Sequence, residues 1–129
     1  MSRLTIYLAR LTGVFAIIAV AVVFVRGSGA VMAAIADPQA MFLYGLISLG
    51  LGLAMVLGHN VWSGGALPVA VTVVGWLIFV KGLMLLLVTP PTLQAMLQKM
   101  DYAANGQLYL IPALLLGIYL TWAGFAKTA

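Results

Sequence analysis

Residues 69–88 read VAVTVVGWLIFVKGLMLLLV, an apolar run in which Lys81 is the single charge. A helix needs roughly 17–25 such residues to cross about 30 Å of hydrocarbon, so this stretch predicts a transmembrane helix. Three further runs have the same character: Ile6–Val25, Ala40–Gly58 and Gln107–Ala126. In lipid every backbone N–H and C=O must be paired internally, which leaves helices or closed barrels. The run AIIAVAVVFV at 16–25 shows none of the alternation a barrel strand requires. The fold class expected is therefore an all-α membrane protein of four transmembrane helices in an up-down bundle, forming one domain over residues 1–129.

Composition agrees. The chain of 129 residues is 65% hydrophobic and 6% charged, whereas soluble domains carry about 25% charge. Six basic and two acidic residues cannot cover a surface of this size with water-soluble groups. The absence of cysteine excludes disulfides, thiolate metal sites and iron–sulfur clusters. The net charge of +4 is scattered, without the basic stripe that nucleic-acid binding needs. The lipid bilayer is the partner this composition demands.

Breakers bound the spans. Gly27-Ser28-Gly29 follows the first, Asp37-Pro38 precedes the second and Ser63-Gly64-Gly65 follows it; Thr89-Pro90-Pro91 ends the third, and Asn105-Gly106 precedes the fourth. Arg3 and Arg10 with a small-residue site at Ala34-Ile35-Ala36 resemble a signal peptide, but the apolar core is too long and Arg26 intervenes. An uncleaved helix is expected. In the third connection Leu93, Met96, Leu97 and Met100 recur at helical spacing opposite Gln94, Gln98, Lys99 and Asp101. That pattern predicts an interfacial amphipathic helix, started by Pro91 or capped by Thr92. Val31, Met32 and Ile35 suggest a weaker counterpart in the first connection. Each half thus reads as span, surface helix, span. Gly13-Val14-Phe15 matches Gly75-Trp76-Leu77, and Leu43-Tyr44 matches Leu108-Tyr109, as a duplicated unit with both copies in one orientation would require.

Small residues replace the hydrophobic drive between helices in lipid. Ala9, Gly13 and Ala16, then Gly45, Ser48, Gly50, Gly52 and Ala54, then Gly75, and finally Ala113, Gly117 and Thr121 supply the expected packing ridges. Pro112 should bend the fourth span by freeing the carbonyl near Leu108. Tyr102, Tyr109, Trp62 and Trp122 fall where interfacial aromatic belts form. The face with both termini and the middle turn carries Arg3, Arg10 and Lys127; the other carries Arg26 and Lys99 with Asp37 and Asp101. The basic excess predicts both termini inside.

Lys81 is the sharpest candidate for function, since an ammonium near mid-bilayer costs roughly 2.5–3.5 kcal/mol. A contact with Asp37 or Asp101, or a water-filled outer cavity, would explain it; snorkelling would remove its claim. His59, at the end of the second span, is read as a cap for the last helix carbonyls, with Asn60 as the turn residue. Arg10, about a turn inside the first span, is expected to snorkel or to contact this turn. Trp76 is read as packing. No further donors accompany His59 for a metal, too few polar groups surround it for haem, and the methionines are too scattered for copper, so no cofactor is expected.

The run GLAMVLGHNVW, followed by a Gly-containing turn and TVVGWLIFVKGLMLLL, resembles a family of small uncharacterised bacterial integral membrane proteins. The similar stretch runs from Asp37 to about Pro91, with HNVW and GW…KG as its specific parts. The resemblance implies a bacterial inner-membrane protein of four helices and brings no activity. Its shared positions would be His59, Asn60, Trp62, Gly75, Trp76, Lys81 and Gly82.

Three functions compete. The first expectation is a non-catalytic scaffold or accessory subunit that packs with itself or with another membrane protein. The second is an oligomeric channel or transporter with Lys81 lining an anion or small-substrate pathway. Small multidrug exporters have a similar size but depend on a membrane-embedded acid, and no span here holds one. An enzyme ranks last, because His59 and the acids fall on opposite faces and no nucleophile–base set is visible.

Overall fold

The computed structural model describes residues 2–100 and 102–126. Asp101 and Lys127 lie outside them, and of Tyr102 only the backbone is described. The described residues form helices without strands: α1 (Arg3–Arg26), α2 (Ser28–Ala36), α3 (Pro38–Gly58), α4 (Ala66–Leu87), α5 (Pro90–Lys99), α6 (Tyr102–Tyr109) and α7 (Ile111–Ala126). Of these, α1, α3 and α4 are long and apolar enough to cross a membrane, while α7 is apolar and shorter. The chain is a helical membrane protein.

Local chemistry sets the boundaries. Ser2 Oγ accepts from Thr5 N at 3.1 Å and starts α1. Gly27, at φ 85°, ends it in a backbone conformation that side chains disfavour, and donates to Val23 O at 2.7 Å. Asp37 Oδ1 accepts from Gln39 N at 3.1 Å and caps α3, with Pro38 in the first turn. The turn after α3 reverses through Gly64 and Gly65, at φ 91° and 120°. The surface helix α5 starts at Pro90 after Thr89, earlier than Pro91 or Thr92 would have placed it.

The stretch 107–126 is not one helix. It breaks at Leu110, between α6 and α7, and α6 is itself kinked at Asn105 (φ −115°, ψ 15°). Pro112 has no N–H to give to Leu108, and its ring crowds that carbonyl, so a helix running through Tyr109 stops. A break replaces the slight bend expected.

Two helix pairs dominate the packing: α3 along α4, and α1 along α7. Their seams are built on glycine. A Cβ on Gly52 would run into the backbone of Phe79, and one on Gly82 into that of Leu49. On Gly75 it would lie 2.9 Å from Met55 Cβ. Ser48 is buried in the same seam, between Gly45 and Gly52. In the other pair, a Cβ on Gly13 would meet Thr121 N at 2.6 Å, and one on Gly117 would meet Ala16 Cβ at 3.0 Å. Thr121 Oγ1 is buried against Gly13 and makes no hydrogen bond among the described residues. This seam runs from Gly117 to Gly124 and does not extend back to Ala113, which is exposed beside Pro112 at the start of α7.

The two seams are counterparts. Gly13 and Ile17 in α1 stand at one constant offset from Gly75 and Phe79 in α4; Gly52 and Met55 in α3 stand at another from Gly117 and Leu120 in α7. Gly117 packs against Ala16 and Ile17 as Gly52 packs against Ile78 and Phe79. A duplicated unit with both copies in one orientation produces this geometry. The pairs meet through α1, α4 and α7 around Leu8, Val71, Leu120 and Ala123. At the opposite end α2, α5 and α6 pack on one another as a cap, with Leu93 buried beneath it.

Candidate functional site

Two groups of polar residues interrupt the apolar interior. The first ties the starts of α1 and α4 to the end of α3. His59 is 3% exposed. Its backbone N–H donates to Met55 O at 2.7 Å and closes α3. Its side chain leaves the helix carbonyls alone, contrary to the capping role expected of it. Nε2 lies 2.8 Å from Thr5 Oγ1, and Nδ1 lies 3.1 Å from Thr72 Oγ1.

Counting protons orders this knot. Thr72 Oγ1 accepts from Val61 N at 3.0 Å and has its one proton to give to Val61 O at 2.8 Å or Pro68 O at 2.9 Å. With that proton on a carbonyl, His59 Nδ1 donates to Thr72 and Nε2 accepts from Thr5. Thr5 accepts in turn from Ser2 Oγ at 2.8 Å. The bonds run continuously from Ser2 through Thr5 and His59 to Thr72. The chemistry available to this closed set is to hold three helices in register.

Beside it, Asn60 Oδ1 accepts from Trp62 Nε1 at 2.8 Å and from Trp76 Nε1 at 3.3 Å. Trp76 also meets Phe79 edge-on, with centroids 5.9 Å apart. The described bonds of Arg10 go to α7. Its Nε donates to Gly124 O at 2.9 Å, and its guanidinium lies 4.7 Å from the centre of the Phe125 ring. That bond anchors the end of α7 to α1 in the position where Thr72 and His59 join α4 to α3.

The second group lies in the opposite half. A cavity of about 620 Å³ is walled by α1, α3 and α4 and covered by α2. Its lining is apolar, from Phe15 and Ile18 to Val31 and Leu85, except for Arg26, Tyr44, Ser48 and Lys81. Lys81 makes no hydrogen bond or ion pair with any described residue, and the Lys81–Asp37 contact does not form. Asp37 instead spends its carboxylate on the cap of α3. Asp101, the other partner considered, lies outside the described residues. Lys81, exposed on α4, lines a cavity whose walls are chiefly hydrocarbon, rather than the polar one expected.

Sequence reasoning singled out Lys81 and His59 but missed their surroundings. Thr5, just before the first span, and Thr72, inside the third, carry no signal of their own, and Arg26 reads as a topology signal. The shared face of the N-terminus and middle turn was the available clue to the Thr5–His59 bond. Comparison with protein-family models, with curated proteins and with solved structures gave no match.

Proposed function

We propose that this chain is a four-span bacterial inner-membrane protein, with both termini inside, that serves as a non-catalytic scaffold or accessory subunit. In this reading α7, about 24 Å long at 1.5 Å per residue, crosses with help from the last turn of α6. The observation that carries the reading is a second small-residue stripe on α3. Gly45 and Gly52 are used up against α4, but Gly50, Ala54 and Gly58 face outward, and a Cβ on Gly50 or Gly58 would meet nothing within 4 Å. Such a stripe lets a helix of another copy, or of another membrane protein, approach backbone to backbone.

Native mass spectrometry from mild detergent tests it. The wild-type chain should emerge as an oligomer or with a bound membrane protein, and Gly50→Leu with Ala54→Leu should release monomer that is still folded. A wild-type monomer without partner, or an assembly indifferent to these substitutions, would contradict the proposal.

A second reading, a channel or transporter with Lys81 on an anion or small-substrate pathway, is favoured by the cavity at Lys81. Anion flux in liposomes that is unchanged by Lys81→Met would refute it.

A further inference from the structure

We infer that the cavity under α2 is a binding site for an anionic membrane lipid, with an acyl chain along α1 and the headgroup charge held by Arg26 and Lys81. The inference rests on the reading of Lys81 as functional and does not require transport.

Shape and charge point to one class of occupant. The volume, about 620 Å³, falls within the range of roughly 300–1,000 Å³ usual for ligand sites. It is elongated: from Phe15 to Arg26 the α1 wall is about 16 Å long at 1.5 Å per residue. Phe15, Ile18 and Val22 on that wall are exposed, so the cavity opens sideways toward hydrocarbon. The two cations stand at different depths. Arg26 is the last residue of α1, and Lys81 lies six residues before the end of α4, about 9 Å at the same rise. Because α1 and α4 run in the same direction, these two ends belong to the same face. Apart from these cations and the hydroxyls of Tyr44 and Ser48, the lining is apolar.

No acid lines the cavity, and neither cation is paired among the described residues. A neutral acyl chain alone would leave Lys81 facing hydrocarbon, and a small hydrophilic anion would leave the long apolar wall unfilled. An amphiphile with a negative headgroup satisfies both. Ser48, level with Gly82, adds a hydroxyl near Lys81, and Tyr44 adds one about a turn nearer the α2 end for headgroup oxygens. The position equivalent to Lys81 in α1 is Ala19, which also lines the cavity. The near-symmetric interior therefore carries its deep charge on one side only and leaves space on the other.

The test is lipid retention by the purified full chain in mild detergent, read by native mass spectrometry. The probes are phosphatidylglycerol and phosphatidylcholine with identical acyl chains, and glycerol phosphate as a headgroup without a tail. Charge-assisted bonds to two cations predict retention of phosphatidylglycerol about tenfold above phosphatidylcholine. Lys81→Met with Arg26→Gln should remove that preference, while Lys81→Arg should keep it. Ala34→Phe, which fills the cavity and keeps both charges, should lower retention of both lipids.

Equal retention of the two lipids, or phosphatidylglycerol retention indifferent to Ala34→Phe, would overturn the inference. So would competition by glycerol phosphate, which would identify a free-anion site, or a second polypeptide displaced by Ala34→Phe in place of lipid. Liposome flux separates this from the pathway reading. Lipid bound without flux would refute the pathway alone; flux dependent on Lys81 without selective lipid retention would refute the lipid site alone.

Discussion

At His59 a buried imidazole is satisfied on both sides by hydroxyls from different helices, and Thr72 is the residue whose loss costs most. It is 1% exposed and serves His59, the Val61 N–H and a backbone carbonyl together. Thr72→Val keeps the shape and strands two donors, at a cost of about 2 kcal/mol. Heat unfolding in detergent should show a clearly lowered midpoint. Thr5→Val, which leaves Nε2 as an unfilled acceptor near the end of the bundle, should cost less. Equal effects, or none, would contradict the order of donors and acceptors in the knot. His59 was visible in the sequence as a lone titratable residue at a helix end. Its partners were not, because a threonine inside an apolar helix looks the same whether its hydroxyl bonds its own backbone or another helix.

Among the helices, glycines with the same composition do opposite things. Gly52 faces the backbone of Phe79 with no room for a methyl group, whereas Gly50, two residues earlier, faces open space. Gly52→Ala should force α3 and α4 apart and destabilise by about 3 kcal/mol. Gly50→Ala should be neutral or stabilise by up to about 1 kcal/mol through helix propensity. Circular-dichroism melts of the two variants make the comparison, and similar midpoints would contradict the seam.

The apolar runs, their breakers and the surface helix at Leu93 were legible because length and periodicity are local properties. The pairing of α1 with α7 was not, since small residues mark that a helix packs without naming its partner. Ala113 illustrates the limit: it keeps the spacing of Gly117 and Thr121, yet the seam does not reach it. Pro112 was legible as a perturbation, but whether it bends or breaks a helix depends on what lies before it, here the kink at Asn105.

For the whole molecule, the few charges divide by the job each performs. Asp37 caps a helix, Arg10 clamps α7 and Lys81 lines the cavity with Arg26. The like orientation of the two halves places these groups: the hydrogen-bonded knot falls at the end shared by the N-terminus and the middle turn, and the cavity toward the end covered by α2. If both termini are inside, reporter fusions at either end should be active only in the cytoplasm; opposite locations would contradict four spans.

Lys81, although exposed on α4, lines a cavity across which α1 presents Ala19. The natural absence of cysteine makes it directly measurable. Ala19→Cys with Lys81→Cys, treated in membranes with a short bis-maleimide, should give an intramolecular bridge detectable by mass spectrometry. Ala19→Cys with Val80→Cys should give none, because Val80, unlike Lys81, does not line the cavity. Bridging at 80 but not at 81, or at neither, would contradict the claim.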